Sequence, residues 1–288
     1  MYELSQYAFV AGFAALGLAM LLYVVNVLGA RSLRRLSLAD GGAISTSTLD
    51  TALDTAGRYA TIAAVNAFLF LTASMAFRTI ESGHGPFANM YEFSLAFAWG
   101  ALAIYLYFEV AYRLRVLALL VLPVALGLLA YATTVPSDVT PLVPALQNDL
   151  LLTVHVAVAV FAYGAFAVAF GAAVLYLIQR RDSIRWLPRR TVLDEIGYKA
   201  VLVGFPMMAL TVILGALWAY SAWGSYWSWD PKETASLVTW LIYGGYLHAR
   251  VLRGWRGDRS AFLLILGFAA TLFTYFGNYF LGGLHAYG

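Results

Sequence analysis

The stretch LLLTVHVAVAVFAYGAFAVAFGAAVLYLIQ, residues 150–179, contains no charged side chain in 30 positions. About 20 helical residues suffice to cross the roughly 30 Å hydrocarbon core of a membrane. This stretch therefore predicts a transmembrane helix. The composition of the whole chain agrees with that prediction, because 62% of its 288 residues are hydrophobic and only 11% are charged. A soluble domain is usually about 25% charged.

Seven further apolar stretches accompany this one, and together they predict an all-α, polytopic membrane helix bundle of about eight transmembrane helices. The seventh stretch is short for a span, although Trp240 and Tyr243 suit a tilted helix. The first lacks the basic region and cleavage site of a signal peptide, so we expect a retained helix. We expect one integral-membrane domain over residues 1–288. The spans are 6–30, 58–77, 91–112, 115–133, 150–179, 198–221, 235–250 and 260–281.

Basic residues in the connecting loops predict the orientation of the bundle. When the loops are assigned alternately to two sides, 16 of the 18 Lys and Arg fall on one side, and Arg78 and Lys232 fall on the other. Positive charge marks the cytoplasmic side of a membrane protein, so both termini are expected outside. On the inner side, the polar residues 38–51 predict a flexible connection, and residues 180–197 predict a short helix along the membrane surface.

The four histidines fall on four different segments. His84 lies in an outer loop, His155 lies about one and a half turns into the fifth helix, and His285 follows the eighth helix. His248 ends the seventh helix on the inner side. A histidine near a boundary often just hydrogen-bonds to water or a carbonyl, but an ionisable group within the bilayer margin, as at His155, indicates a functional site. Imidazole is a common axial ligand of haem iron, so His155 and His285 could hold one iron, with His84 as an alternative.

The outer segment WGSYWSWDPKET, residues 223–234, suits the flat apolar face of such a ligand. An aromatic belt at the membrane boundary is the simpler interpretation, but four rings within seven residues exceed what an anchor needs. Asp230 and Glu233 could order this segment or begin the next helix. The predicted haem contacts are the rings Trp223, Tyr226, Trp227 and Trp229, a close backbone approach at Gly224, Asp230, and a propionate partner in Lys232 or Arg78.

The sequence WGSYWSWDPKETASLVTWLIY, residues 223–243, resembles the tryptophan-rich WWD signature of the haem-handling proteins of cytochrome c maturation. Within that superfamily it is similar to the CcsA (ResC) family of the System II pathway. The sequence RTIESGHGPFANMYEFSLAFAW, residues 78–99, is similar to the corresponding stretch of CcsA proteins. The resemblance covers roughly residues 78–288, and residues 222–234 form the signature segment on the outer face.

This resemblance implies that His155 and His285 are axial ligands of haem b at the outer face. It also implies that His248 is the membrane histidine near the cytoplasmic side, where haem enters, and that a CcsB (ResB)-like membrane protein supplies its counterpart. His84 matches a family position without a clear ligand role. The chain is then expected to lie in the bacterial cytoplasmic membrane, with a plastid thylakoid membrane less favoured.

The same resemblance implies a component of a cytochrome c haem lyase. An apocytochrome c would present a Cys-X-X-Cys-His segment, whose thiols add to the haem vinyl groups after reduction by thioredoxin-like proteins. We expect no nucleic acid partner and no catalytic residue beyond those that position haem. The absence of cysteine from this chain agrees with reacting thiols that come from the substrate.

Three alternatives remain open. A CcmC-like exporter or chaperone would hand haem on without forming covalent bonds. An unrelated transporter would show broken helices and polar groups at the midplane, and these are sparse in the sequence. A b-type electron-transfer protein would stack paired histidines on two helices at both sides of the membrane, whereas here they are scattered.

Overall fold

The computed structural model describes residues 1–39, 46–139, 149–184 and 186–283. These residues form eight α-helices and two short 3-10 turns, at Arg115–Leu117 and Arg180–Asp182, and contain no strand. His285 and residues 140–148 of the proline-rich connection lie outside the described part of the chain. The helices are α1 (Tyr2–Ala39), α2 (Thr46–Ser82), α3 (Met90–Tyr112), α4 (Ala118–Ala132), α5 (Asp149–Ile178), α6 (Arg190–Trp223), α7 (Pro231–Leu252) and α8 (Asp258–Leu281).

Seven spans among the described residues are long and apolar enough to cross a membrane. The exception is α7, whose 22 residues would extend about 33 Å at 1.5 Å per residue but are more polar than the others. The predicted fold class, a polytopic all-helical membrane bundle, is thus confirmed. Which face of the bundle is cytoplasmic stays a prediction.

Helix α5 lies at the centre of the bundle. In its most apolar window 72% of the residues are buried inside the protein, against 28% for α1 and for α6. It packs on α3, α6 and α8. Small residues permit the close crossing with α3: a Cβ added to Gly100 would lie 2.2 Å from Val160 Cγ1, and one added to Gly164 would lie 2.6 Å from the Gly100 carbonyl oxygen. Close approach of this kind is how membrane helices gain packing energy.

The two ends of the bundle differ in composition, and we name them accordingly. The tryptophan face carries the connections 83–89, 133–139 and 224–230. The arginine face carries the connections 113–114, 179–189 and 253–257. At the tryptophan face, the Met1 amino group lies 3.3 Å from Glu81 and the Tyr2 hydroxyl lies 3.1 Å from the Ser137 hydroxyl.

Two sequence-based expectations about the arginine face are wrong. Residues 46–51 begin α2 rather than continuing a flexible connection, because the polar residues there extend the helix beyond its apolar span. Residues 190–197 form the first turns of α6 rather than a separate surface helix. The preceding turn is fixed by Gln179, whose amide nitrogen donates to the carbonyls of Ile184 at 2.9 Å and Pro188 at 3.1 Å.

Candidate functional site

A cavity of about 90 Å³ opens at the tryptophan face, among the ends of α3, α5, α6, α7 and α8. Its polar lining includes His155, Thr211, Lys232 and Glu233, and these residues come from three different helices. Convergent polar groups in a mostly apolar cavity are typical of a ligand site. Six aromatic side chains complete much of the wall: Phe93, Phe97, Tyr163, Tyr226, Trp227 and Tyr275.

His155 is held in a defined orientation by α6. Its Nδ1 lies 3.0 Å from the Thr211 carbonyl oxygen. A carbonyl only accepts hydrogen bonds, so Nδ1 carries the proton and Nε2 keeps its lone pair. Gly215 makes room for the ring, because a Cβ there would lie 2.9 Å from His155 Cε1. A histidine whose Nδ1–H is bound to a carbonyl and whose Nε2 is a base has the form that metal-binding histidines adopt.

Lys232 brings a positive charge to the same cavity. It lies in the first turn of α7, and its Nζ is 5.5 Å from the centre of the Phe93 ring on α3. An ammonium group near an aromatic face gains a modest cation–π attraction. Lys232 can therefore meet an anionic group of a ligand without leaving the aromatic wall.

The tryptophan-rich segment contributes only part of its aromatic surface to the cavity. Tyr226 and Trp227 line it. Trp223 instead packs edge-on against Trp218, with ring centres 4.8 Å apart. Trp229 is 69% exposed and meets Trp227 edge-on at 5.7 Å. The structure thus brings two of the four predicted rings to the cavity and leaves Trp229 on the surface.

The shape of this segment is set by caps at the two helices that it joins. Gly224 ends α6 with φ of 74°, a left-handed conformation that glycine adopts without a steric penalty. Asp230 begins α7, and its side chain accepts a hydrogen bond from the Lys232 backbone N–H at 2.9 Å. Glu233 Oε2 accepts from the backbone N–H groups of Ser228 at 2.8 Å and Asp230 at 3.2 Å. The carboxylates therefore order the backbone that carries Lys232 and Trp227.

Two predicted contact residues have other partners. Arg78 is completely buried, forms an ion pair with Glu92, and donates to the carbonyls of Ser137 at 2.6 Å and Asp138 at 3.1 Å. His84 Nδ1 lies 2.8 Å from the carbonyl of the next residue, Gly85. Neither side chain is part of the cavity wall. Arg78 ties α2 to α3 and to the connection that follows α4.

His248 belongs to the other end of the molecule. It is exposed in the last turns of α7. It follows Lys232 by 16 residues, which corresponds to about 24 Å along a helix. His248 and the cavity residue Lys232 therefore lie at opposite ends of α7.

The last described residue, Gly283, lies beside the cavity's polar end. A Cβ added to Gly283 would be 2.3 Å from Asp230 Oδ2 and 3.0 Å from Pro231 Cδ. Its φ of 114° is in the region that favours glycine. Gly283 thus lies against the start of α7.

Known proteins that resemble this chain belong to cytochrome c assembly. A family model described as "Cytochrome C assembly protein" matches residues 87–285. A CcsA protein of Guillardia theta is 37% identical over 250 residues, covering 77% of this chain and 83% of the relative. A CcsA protein of Trichormus variabilis is 32% identical and covers 96% of each chain. The solved structure of the cytochrome c haem lyase CcmF matches with a TM-score of 0.65 at 19% identity, covering 96% of this chain and 46% of the CcmF chain.

The helical bundle and these matches define a multi-pass membrane protein of the cytochrome c assembly class. The chain belongs to the cytochrome c assembly protein family. Its sequence is similar to CcsA proteins over most of its length. The likeness to CcmF concerns the fold, and this chain spans about half of that structure.

Proposed function

We propose that the protein binds haem at the tryptophan-face cavity and holds it for covalent attachment to an apocytochrome c, as a component of a cytochrome c haem lyase. The observation that carries this proposal is His155: its Nδ1 is bound to the Thr211 carbonyl, which leaves Nε2 as a base within the cavity. Membership of the cytochrome c assembly family and the CcsA relatives support haem as the ligand.

His285 is the proposed second axial ligand. Gly283 lies against Asp230, and Asp230 precedes Lys232 of the cavity by two residues. Two residues of chain span at most about 7 Å. A second ligand at His285 would thus need only this short span from Gly283 to the end of the cavity where α7 begins.

The cavity is too small for a whole porphyrin in its present shape. Its 90 Å³ compares with about 300–1,000 Å³ for pockets that enclose drug-sized ligands. Haem binding therefore requires the tryptophan-rich segment to move outward. Tyr226 and Trp229, which are 54% and 69% exposed, form little of the buried core, and this favours such a movement. Lys232 then pairs with a propionate of the bound haem.

Haem supply is proposed to begin at His248. Of the described histidines, His248 alone lies at the arginine face, and it is exposed on the surface of α7. An exposed ionisable residue near the end of a membrane helix is a candidate contact for a neighbouring membrane protein. We propose that this neighbour is a separate CcsB (ResB)-like membrane protein. Haem would then cover the roughly 24 Å along α7 to reach the second site.

The attachment step needs two thiols from the apocytochrome. In each addition the sulfur bonds to one vinyl carbon and the thiol hydrogen goes to the other, so no electrons are gained or lost. The two cysteines must be in the thiol form before the addition, and we propose that thioredoxin-like proteins reduce them. The cavity contributes binding, orientation and exclusion of water.

The test of the site is the haem content and visible spectrum of the purified full-length protein. His155→Gly should lose haem and the bis-imidazole spectrum, and added imidazole should restore both by entering the vacated space. His84→Gly is the matched control and should keep them, because that ring is bound to its own loop. Equal haem content in the two variants would refute the site.

A second measurement separates ligation from delivery alone. The chain is expressed with a CcsB-like partner and an apocytochrome c, and haem that stays on the cytochrome after denaturation is measured. Covalent product that depends on His155 supports the lyase. Haem binding that persists without any covalent product would instead support an exporter or chaperone.

We also propose that the tryptophan face is external in a bacterial cytoplasmic membrane. The chain lacks cysteine, so single introduced cysteines can be labelled with a membrane-impermeant maleimide in intact cells. Ser225→Cys, in the exposed tryptophan-rich segment, should react. Arg256→Cys, exposed at the arginine face, should react only after permeabilisation. The reverse pattern would overturn the orientation.

A further inference from the structure

A second and larger cavity lies at the arginine face, away from the proposed haem site. Its volume is about 910 Å³, and it is bounded by α1, α2, α3, the connection 113–114, the 3-10 turn Arg115–Leu117 and residues 186–188. The wall contains charged residues together with the apolar residues Val27, Val110, Leu114 and Val116. Such a mixed lining suits a ligand that has an ionic head and an apolar body. The charged residues in the wall are Asp54, Arg58, Glu109, Arg113 and Arg115.

The carboxylate of Glu109 in this cavity is held in place by hydrogen bonds. Glu109 is 4% exposed, and its carboxylate accepts from the hydroxyls of Tyr23 at 2.5 Å, Tyr105 at 2.7 Å and Thr61 at 2.5 Å. Three donors from three helices satisfy the carboxylate and hold it in place. Glu109 therefore belongs to the scaffold of the cavity rather than to a site for a free cation.

Arg115 is part of the same scaffold. Its Nε is 3.5 Å from Glu109 Oε1, and its terminal nitrogen is 3.1 Å from Asp54 Oδ1. Gly57 leaves space for the guanidinium, because a Cβ there would be 2.3 Å from that nitrogen. Arg58 also pairs with Asp54, at 3.0 Å. The cavity wall therefore contains two carboxylates and three guanidinium groups, which leaves a net charge of one positive unit.

Arg113 carries that excess charge. It is exposed at the end of α3, and no carboxylate of the described residues forms an ion pair with it. Its φ of 55° is left-handed, and its backbone N–H caps the helix by donating to the Glu109 carbonyl at 2.7 Å. Glycine would adopt this conformation more easily. A non-glycine residue in a strained backbone conformation indicates a functional role, here for the Arg113 side chain.

We propose that this cavity binds the phosphate headgroup of an anionic phospholipid. The phosphate pairs with Arg113 and Arg58, and an acyl chain follows Val110, which lines the cavity and is 73% exposed to the surroundings of the bundle. Basic pockets between transmembrane helices are a known setting for anionic lipid headgroups. Arginine suits phosphate because its planar guanidinium donates two parallel hydrogen bonds. Trp186 in the same wall suits the membrane boundary.

The test is the phospholipid retained by the purified full-length protein after extensive detergent washing, identified and counted by mass spectrometry. The unaltered protein should retain about one anionic phospholipid per chain. Arg58→Gln combined with Arg113→Gln should reduce retention at least tenfold. Arg256→Gln, a matched change at an exposed arginine of the same face, should leave it unchanged.

Arg113→Gly distinguishes binding from folding. It removes the guanidinium and relieves the left-handed strain, so the melting temperature should be maintained or raised while lipid is lost. Equal lipid retention in all variants would overturn the proposal. A porphyrin carries the same anionic chemistry in its carboxylates. If the cavity variants lose absorbance near the haem Soret band while keeping phospholipid, the ligand is a porphyrin and the lipid assignment is wrong.

Discussion

Gly215→Ala tests the orientation of His155 without touching the histidine. The new methyl group would lie 2.9 Å from His155 Cε1, whereas ordinary contact begins at 3.4 Å, so the ring must move by about 0.5 Å (3.4 − 2.9). That shift strains the 3.0 Å bond from Nδ1 to the Thr211 carbonyl. Losing a comparable bond costs about 1 kcal/mol, and loss of such partners typically weakens metal binding about 10–100-fold. We expect haem affinity to fall about tenfold, near the lower limit, because the bond is strained rather than removed.

The assay is titration of purified apoprotein with haem, followed by its absorbance. Gly127→Ala in α4 is the matched control, because no atom lies within 4 Å of a Cβ at that position. Both changes place alanine in a helix and should gain about 0.5–1 kcal/mol of stability from reduced backbone entropy. The thermal stability of Gly215→Ala should therefore not fall far below that of the control. If the two variants bind haem equally well, His155 does not act in the orientation that the structure shows.

Three further results are expected. Arg78→Met should lower the free energy of unfolding by about 3–5 kcal/mol, because Glu92 would keep a buried charge without its partner; Arg78→Met with Glu92→Leu should recover much of that loss in thermal denaturation. Lys232→Met should weaken haem binding about 10–100-fold by removing a charged contact of ~1.5–3 kcal/mol, and leave the binding of haem dimethyl ester unchanged; equal losses with both ligands would contradict propionate pairing. Trp227→Ala should reduce haem binding more than Trp229→Ala in the same titration, because only Trp227 lines the cavity; the opposite order would place haem on the outer surface of the segment.

The fold was largely predictable because bilayer thickness constrains each apolar stretch on its own. Helix α5 shows this best, since its uncharged run predicted a helix at 150–179 and the structure has Asp149–Ile178. The starts of α2 and α6 were not predictable in this way. Residues 46–51 and 190–197 are rich in polar residues, and such stretches can extend a membrane helix or form a connection with little difference in local preference.

The candidate site was predictable only where its residues are chemically unusual for a membrane. His155 and Lys232 stood out as ionisable groups at the membrane margin, and the structure brings both to one cavity. Thr211 and Gly215 gave no such signal in the sequence. Thr211 acts through its backbone carbonyl, and Gly215 acts by leaving space for the His155 ring. Arg78 stood out equally well and has a different role, because its burial against Glu92 depends on the packing of α2 on α3. Charge in a membrane sequence indicates importance but does not distinguish a ligand contact from an internal ion pair.

The cavity combines a histidine that is held in place with a covering segment whose closed arrangement carries a free-energy cost. His155 lies on α5 and is hydrogen-bonded to α6. The cover is a short segment that is held by hydrogen bonds to Glu233 Oε2 and by the stacking of Tyr226 on Tyr220, with ring centres 4.4 Å apart. The other oxygen of that carboxylate, Oε1, is buried and has no hydrogen-bond partner among the described residues, and an unsatisfied buried polar atom costs about 1–3 kcal/mol. Trp229 has φ of 59°, and a left-handed conformation costs a non-glycine residue about 1–2 kcal/mol. Outward movement of the segment would break the hydrogen bonds that Ser228 and Asp230 donate to Glu233 Oε2, and hydration of Oε1 together with release of the Trp229 backbone would offset part of that loss.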